Sequence, residues 1–168
     1  ALEETHRLHP TVHISAILDD VSLVASPQSA VAAFSTLETC MARVGLSVNA
    51  PKTASLWPHE RVPVPEPLFS FTRSRNFKLE IGATIILGAP IGLGNRYAEV
   101  VNEHLSNVVR KHNTFFEALS HDAMPAQIAV LLLQLAAVPR MMYYARLIPP
   151  SLAHPHLQEF DLRVRSAL

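Results

Sequence analysis

Val12 to Ala25 reads VHISAILDDVSLVA, an apolar run of strand character that two consecutive aspartates cut in half. Val12, Ile14 and Ala16 alternate with His13, Ser15 and Ile17, and beyond the aspartates Val21, Leu23 and Ala25 alternate with Ser22 and Val24. Alternation on both sides of a two-residue break is the pattern of a β-hairpin, with Asp19 and Asp20 at its tip. Aspartate tolerates the left-handed backbone of tight turns, which accounts for one of the two. Two adjacent carboxylates repel, and no basic residue stands nearby in the sequence. A divalent cation would relieve that repulsion. The hairpin therefore reads as half of a metal site.

The rest of the chain must build a core around this hairpin, and 168 residues with 49% hydrophobic content suffice for that. Ser26 and Pro27 are a helix start, a capping hydroxyl and a proline at the first helical position. The helix runs to about Val44, with Ala30, Phe34, Leu37, Met41 and Val44 on one face, and Gly45 closes it. Cys40 falls at an apolar position of this helix, so a buried thiol is expected. Short strands are expected at Leu46 to Val48 and Thr53 to Trp57. Pro58, Pro63, Pro65 and Pro67 mark an extended loop. Phe77 to Ile81 and Thr84 to Leu87 are expected to pair as a second hairpin. The tail GAPIGLG lacks the lysine and the spacing of a phosphate loop, so its glycines are read as turn residues.

From Asn95 the period becomes helical. Tyr97, Val101, Leu105, Val108, Phe115 and Leu119 share a face, Pro125 opens a helix through Ala137, Pro139 begins another to about Leu147, and a last helix spans Ser151 to Ala167. The fold class is α+β, divided near Gly94 into a mixed part, 1–94, and an all-helical part, 95–168.

Charge is balanced, 14 basic against 14 acidic residues, so no overall basic footprint marks a nucleic-acid binder. A local strip remains open: Arg140, Arg146, Arg163 and Arg165 are the helical part's candidate phosphate contacts, with a solvated face as the alternative. His6, His9 and His13 carry helical metal spacing, but Pro10 interrupts it, and they are read as solvated or turn histidines. The longest apolar run, Ile128 to Val138, falls short of a membrane span, and no signal peptide is visible. The expectation is a soluble intracellular protein, nuclear or cytoplasmic and not secreted. The absence of an initiator methionine suggests part of a longer protein.

In this order the features resemble the carboxy-terminal half of a reverse transcriptase domain of non-LTR retrotransposon type. Ile17-Leu18-Asp19-Asp20 is similar to that family's catalytic turn. Gly45-Leu46-Ser47-Val48-Asn49 with Lys52 and Thr53 is similar to its next motif. Ile85-Ile86-Leu87-Gly88 is similar to its primer-grip hairpin, and the helical remainder takes the place of its thumb. Ile17 stands where the family usually has an aromatic residue. The resemblance implies a partial palm over 1–94 and a thumb-like region over 95–168, with Asp19 and Asp20 as catalytic metal ligands for magnesium or manganese. It further implies Lys52 as proton donor to pyrophosphate, and Leu87 and Gly88 as primer grip. It implies an RNA template, a DNA primer and a deoxynucleoside triphosphate as partners, with no membrane.

Nucleotidyl transfer of this type uses two divalent ions about 3.5 to 4 Å apart. The family's first catalytic aspartate and its fingers precede the hairpin, where about eleven residues stand before Val12. The expectation is an RNA-directed DNA polymerase in the intact parent and no activity in this chain alone. A non-catalytic helical module for nucleic acid or protein is the alternative, and an unrelated α+β domain with an Asp-Asp turn is a third reading. The polymerase reading requires the hairpin to pack beside Gly45 to Thr53 in one sheet.

Overall fold

The computed structural model describes residues 1–167 and is α+β, as the periodicities require. The chain forms two compact units, one spanning Ala1–Gly82 and one beginning at Ala83. The change of period lies near Gly94, whereas the units part at Gly82, because the strands after it pack on the first helix of the second unit.

In the first unit, helix α1 (Leu2–Leu8) precedes strands β1 (His13–Ile17) and β2 (Asp20–Val24) and helix α2 (Pro27–Arg43). Helix α1 was not legible in its polar sequence. It is held by tertiary contacts: Thr5 is fully buried, and the Nε2 of His9, just past its end, lies 2.8 Å from Thr36 Oγ1 on α2. Helix α2 starts at the expected cap, where Ser26 accepts from the Ser29 amide. It ends at Gly45, which has a φ of 77°. There the amides of Gly45 and Leu46 bond back to the carbonyls of Ala42 and Met41, closing the last turn. Its buried residues are Ala33, Leu37 and Cys40, so the face is rotated from the one read in the sequence and Val44 is left exposed.

Leu46 to Val48 forms no strand. Pro51 cannot donate to a ladder, and Asn49 to Thr53 closes a 3-10 turn instead, Ala50–Lys52. Strand β3 (Ala54–Trp57) follows, and helix α3 (Glu66–Ser74) emerges from the proline-rich loop. Strand β4 (Lys78–Ile81) then pairs with β3 in parallel, Ala54 opposite Lys78 and Trp57 opposite Ile81. The expected hairpin of Phe77 to Ile81 with Thr84 to Leu87 is therefore absent. A parallel pair needs a crossover of a dozen or more residues, which the loop and α3 supply. The Gly82 amide extends the same ladder to the Trp57 carbonyl at 2.9 Å, so the chain leaves β4 without a hairpin turn. Phe34, Phe71 and Phe77 meet edge to face with centroids 5.4 to 5.8 Å apart and tie α2 to α3. The Arg75 guanidinium lies over the Phe71 ring and pairs with Glu38, which holds the Arg75 pKa above its ordinary value.

The second unit opens with strands β5 (Ala83–Ile86) and β6 (Ala89–Gly92), an antiparallel pair lying on helix α4 (Gly94–Lys111). Helices α5 (Asn113–Leu119), α6 (Ala126–Leu132), α7 (Val138–Leu147) and α8 (Pro150–Ser166) complete it. Val101, Leu105, Phe116, Leu133, Met141 and Phe160 are among its buried residues, and Val101 and Leu105 are fully enclosed. Helices α6 and α7 are one continuous helix joined by a π turn, Leu133–Ala137. The wide turn falls just ahead of Pro139, whose missing N–H and ring do not allow an ordinary bond to the Leu135 carbonyl. Because the helix runs on through Pro139, Ala126–Leu147 has 22 residues and is long and apolar enough to cross a membrane, unlike the shorter run read in the sequence. One side, with Ala129, Leu133, Ala137 and Met141, enters the core, while Ile128, Leu131, Leu135 and Met142 stay exposed.

Candidate functional site

The Asp-Asp hairpin forms where the alternation places it, with one correction. Ile17 pairs with Asp20, so the two turn residues are Leu18 and Asp19, and Asp20 is the first residue of β2. Leu18 has a φ of 56°, and Asp19 is not among the residues with positive φ. A positive φ at the first central position alone is the pattern of a type II′ turn, which normally asks for glycine there. Leucine occupies it with its side chain 99% exposed, so nothing it packs against compensates the strain. Both aspartates are exposed as well. Ile14 and Leu23, opposite each other, are half-buried, and the other face, with His13, Val24, Ile17 and Asp20, lies open.

Lys52 sits exposed at the end of the 3-10 turn, and the Thr53 hydroxyl donates to the Asn49 carbonyl at 2.9 Å to close that turn. Among the described residues no hydrogen bond or ion pair joins Lys52 to Asp19 or Asp20. Among the described residues the hairpin is a two-stranded sheet by itself, and β3 pairs only with β4. The expectation of one sheet holding the hairpin and Gly45 to Thr53 is thus not met: Pro51 and the 3-10 turn keep Gly45 to Lys52 out of a ladder, and the Thr53 carbonyl joins the β3–β4 ladder instead, accepting from the Lys78 amide at 3.1 Å. Among the described residues no group of three or more His, Cys, Asp or Glu is placed to hold an ion. Two neighbouring carboxylates fall short of the near-octahedral oxygen set that magnesium demands.

The second candidate feature, Leu87-Gly88, lies in the other unit and is the turn between β5 and β6. Ile86 pairs with Ala89, and φ is 52° at Leu87 and 79° at Gly88. Positive φ at both central positions defines a type I′ turn, whose twist matches that of the flanking strands. Two helices hold it. The Tyr143 hydroxyl on α7 donates to the Leu87 carbonyl at 3.0 Å. Helix α4 packs against both strands, and the Nε2 of its His104 lies 3.2 Å from the Tyr144 hydroxyl. Burial pushes the His104 pKa down, the neighbouring Gly88 backbone opposes it, and the Lys111 charge adds a smaller lowering. Burial likewise raises the Tyr144 pKa, which the Arg140 charge partly offsets. His104, Tyr143 and Tyr144 were not singled out in the sequence. The one signal was a histidine three residues after Val101, inside the apolar stripe of α4.

The four arginines are divided between two helices, Arg140 and Arg146 on α7, Arg163 and Arg165 on α8. Arg163 pairs with Glu159 at 2.5 Å and lines a shallow cavity of about 310 Å³ with Asn113, Phe116 and Ser120. The histidines of the amino-terminal segment are separated by structure: His6 is on α1, His9 caps it, and His13 begins β1. Cys40 is buried, as expected, and its thiol, together with the Arg43 charge, lowers the Glu4 pKa. In comparisons with known proteins, no family model, no curated protein and no solved structure matches the chain.

Proposed function

We propose that this chain is the carboxy-terminal palm and thumb portion of a reverse transcriptase of non-LTR retrotransposon type. The intact parent would synthesise DNA from an RNA template, a DNA primer and deoxynucleoside triphosphates with magnesium or manganese, and no membrane is part of this reading. The chain alone would not. The observation that carries the reading is the Leu18–Asp19 turn. A non-glycine residue held at a φ of 56° with 99% of its side chain in solvent is strain without local benefit. Such strain collects at sites where it positions chemistry, and here it fixes the carboxylates of Asp19 and Asp20. The openness of the hairpin agrees with this, since a two-stranded sheet with one face largely exposed is marginal by itself and is at home in a larger sheet. Lys52, Leu87 and Gly88 keep their proposed roles as proton donor and primer grip.

A second reading, a non-catalytic binding module, is favoured by one observation: the Gly45 to Thr53 segment shares no sheet with the hairpin, so the one-sheet arrangement that the polymerase reading requires is not made by this chain and would have to be completed by the upstream strand of the intact parent. Reading the transcript upstream of the Ala1 codon tests the first reading. An open frame encoding a further aspartate-bearing strand is expected, and an unrelated frame overturns it. Primer extension with the isolated chain and magnesium should give no product, and robust template-directed product would overturn the claim of inactivity. In a gel-shift titration with a primer–template duplex, Asp19→Asn should change the response to magnesium. Unaltered affinity and unaltered magnesium response would establish the binding module instead.

A further inference from the structure

We propose that the exposed side of the α6–α7 helix is the interface of a two-fold symmetric dimer, in which this helix packs antiparallel against the same helix of a second copy of the chain. Such an interface is independent of the polymerase reading. Ala126–Leu147 is apolar on its exposed side as well as its buried one, and a helix of that kind is normally covered all round. The core covers one side: Ala129, Leu133, Ala137 and Met141 are buried, each four residues after the last. In a uniform α-helix, four-residue steps drift by about 40° each around the axis. The π turn Leu133–Ala137 has a wider circuit and takes up that drift, so that Leu131, Leu135 and Met142 stay turned away from the core. Ile128, Val130 and Val138 flank them at 38 to 46% exposure, and Leu135 in the middle is 70% exposed.

Charge and area select the occupant. Within the helix only Arg140 and Arg146 are charged, both in its second half, and Asp122 stands just ahead of its first half. Among the described residues none of the three has an ion-pair partner. Parallel copies would set the arginines side by side. Antiparallel copies instead lay each arginine-bearing half on the partner's uncharged half, and an axis at Leu135 brings Arg146 to the loop that carries the partner's Asp122. Lipid fits less well, because the exposed side also carries Gln127 and Gln134, which hydrocarbon would leave without hydrogen-bond partners. Crossing a bilayer would also strip Ala129, Leu133, Ala137 and Met141 out of the core. An apolar centre with polar ends is instead the anatomy of a protein interface. The six exposed apolar residues offer roughly 600 Å² per copy, against about 800 Å² from each partner in an interface of standard size, and Gln127, Gln134, Pro139 and Arg146 add to it.

Sedimentation equilibrium of the full chain between roughly 1 and 100 μM tests this, since interfaces of this size have affinities in that range or tighter. The mass should rise with concentration from 18.5 kDa to twice that. Leu135→Glu sets two carboxylates face to face at the axis and should weaken association on the order of 100-fold. Its urea midpoint, read at sub-micromolar concentration, should show the monomer still folded. Leu46→Glu, which alters another exposed leucine in the first unit, should leave association unchanged. Asp122→Lys and Arg146→Glu should each weaken the dimer about 10-fold by placing like charges at both ends, and the double variant should return to within about threefold of the wild type. A wild type of 18.5 kDa throughout, or a Leu135→Glu variant that associates as tightly as the wild type, would overturn the interface. A double charge variant no tighter than either single one would overturn the antiparallel pairing. A wild type that stays monomeric and floats with phosphatidylcholine–phosphatidylserine vesicles would make lipid the occupant and refute the dimer.

Discussion

Replacing Leu18 by glycine isolates the strain at the Asp-Asp turn. The leucine is 99% exposed, so its removal loses almost no buried surface. What changes is the backbone: at a φ of 56° an L-residue costs roughly 1–2 kcal/mol that glycine does not incur. Against this, glycine gives the unfolded chain more freedom, worth about 0.4–1 kcal/mol. The difference is a net stabilisation on the order of 0.5–1 kcal/mol. Trp57, the chain's single tryptophan, is half-buried in the first unit with its Nε1 donating to the Val62 carbonyl at 2.9 Å, so its fluorescence in urea follows this unit. With a denaturant slope of about 1–3 kcal/mol/M, the midpoint should rise by a few tenths of a molar. Leu18→Ala is the control, because it keeps the β carbon and hence the strain, and its midpoint should match the wild type more closely. A glycine variant no more stable than the alanine variant would refute the claim that the turn is strained, and the polymerase reading would lose the observation that carries it.

Gly45→Ala should cost about 1 kcal/mol through backbone conformation alone, since φ there is 77° and nothing lies within 4 Å of an added β carbon; Trp57 fluorescence in urea reads it. Phe160→Ala should cost roughly 3–5 kcal/mol, because the ring is 3% exposed and packs on His112 and Phe116; near-ultraviolet circular dichroism of the tyrosines, all three in the second unit, follows it. The His104 pKa is lowered in the folded state, so below its ordinary value of 6.5 the unfolded chain binds more protons. Its contribution to stability is therefore complete above pH 6.5 and is lost as pH falls toward the folded pKa, and His104→Gln should flatten that part of the urea midpoint against pH. On the α6–α7 helix, Leu135→Glu should change stability by no more than about 0.5 kcal/mol in urea unfolding, because Leu135 is 70% exposed, while Leu133→Glu should unfold the second unit.

What the sequence disclosed and what it withheld divide along the range of the interactions. The hairpin, the start of α2 at Ser26, its end at Gly45 and the stripe of α4 are written in neighbouring residues, and each forms where the pattern puts it, save that the hairpin turns one residue earlier, at Leu18–Asp19. The parallel pairing of β3 and β4 joins Ala54 to Lys78, and no local period encodes which strand a short apolar run will choose. Helix α1 exists through Thr5 and His9, which only the folded neighbour α2 makes useful. The support of the Leu87–Gly88 turn is more remote still, since Tyr143 lies 56 residues from Leu87. The same distinction bears on the Asp-Asp turn. Adjacency in the chain brings Asp19 and Asp20 together, but a third ligand or a proton donor must come from another element, and Lys52, the candidate donor, sits on its own 3-10 turn with no bond to either aspartate among the described residues. A carboxylate pair of this kind is complete as a turn and incomplete as a centre. Chemistry at it therefore depends on a strand placed against the open face of the hairpin, where Asp20 and Ile17 lie exposed.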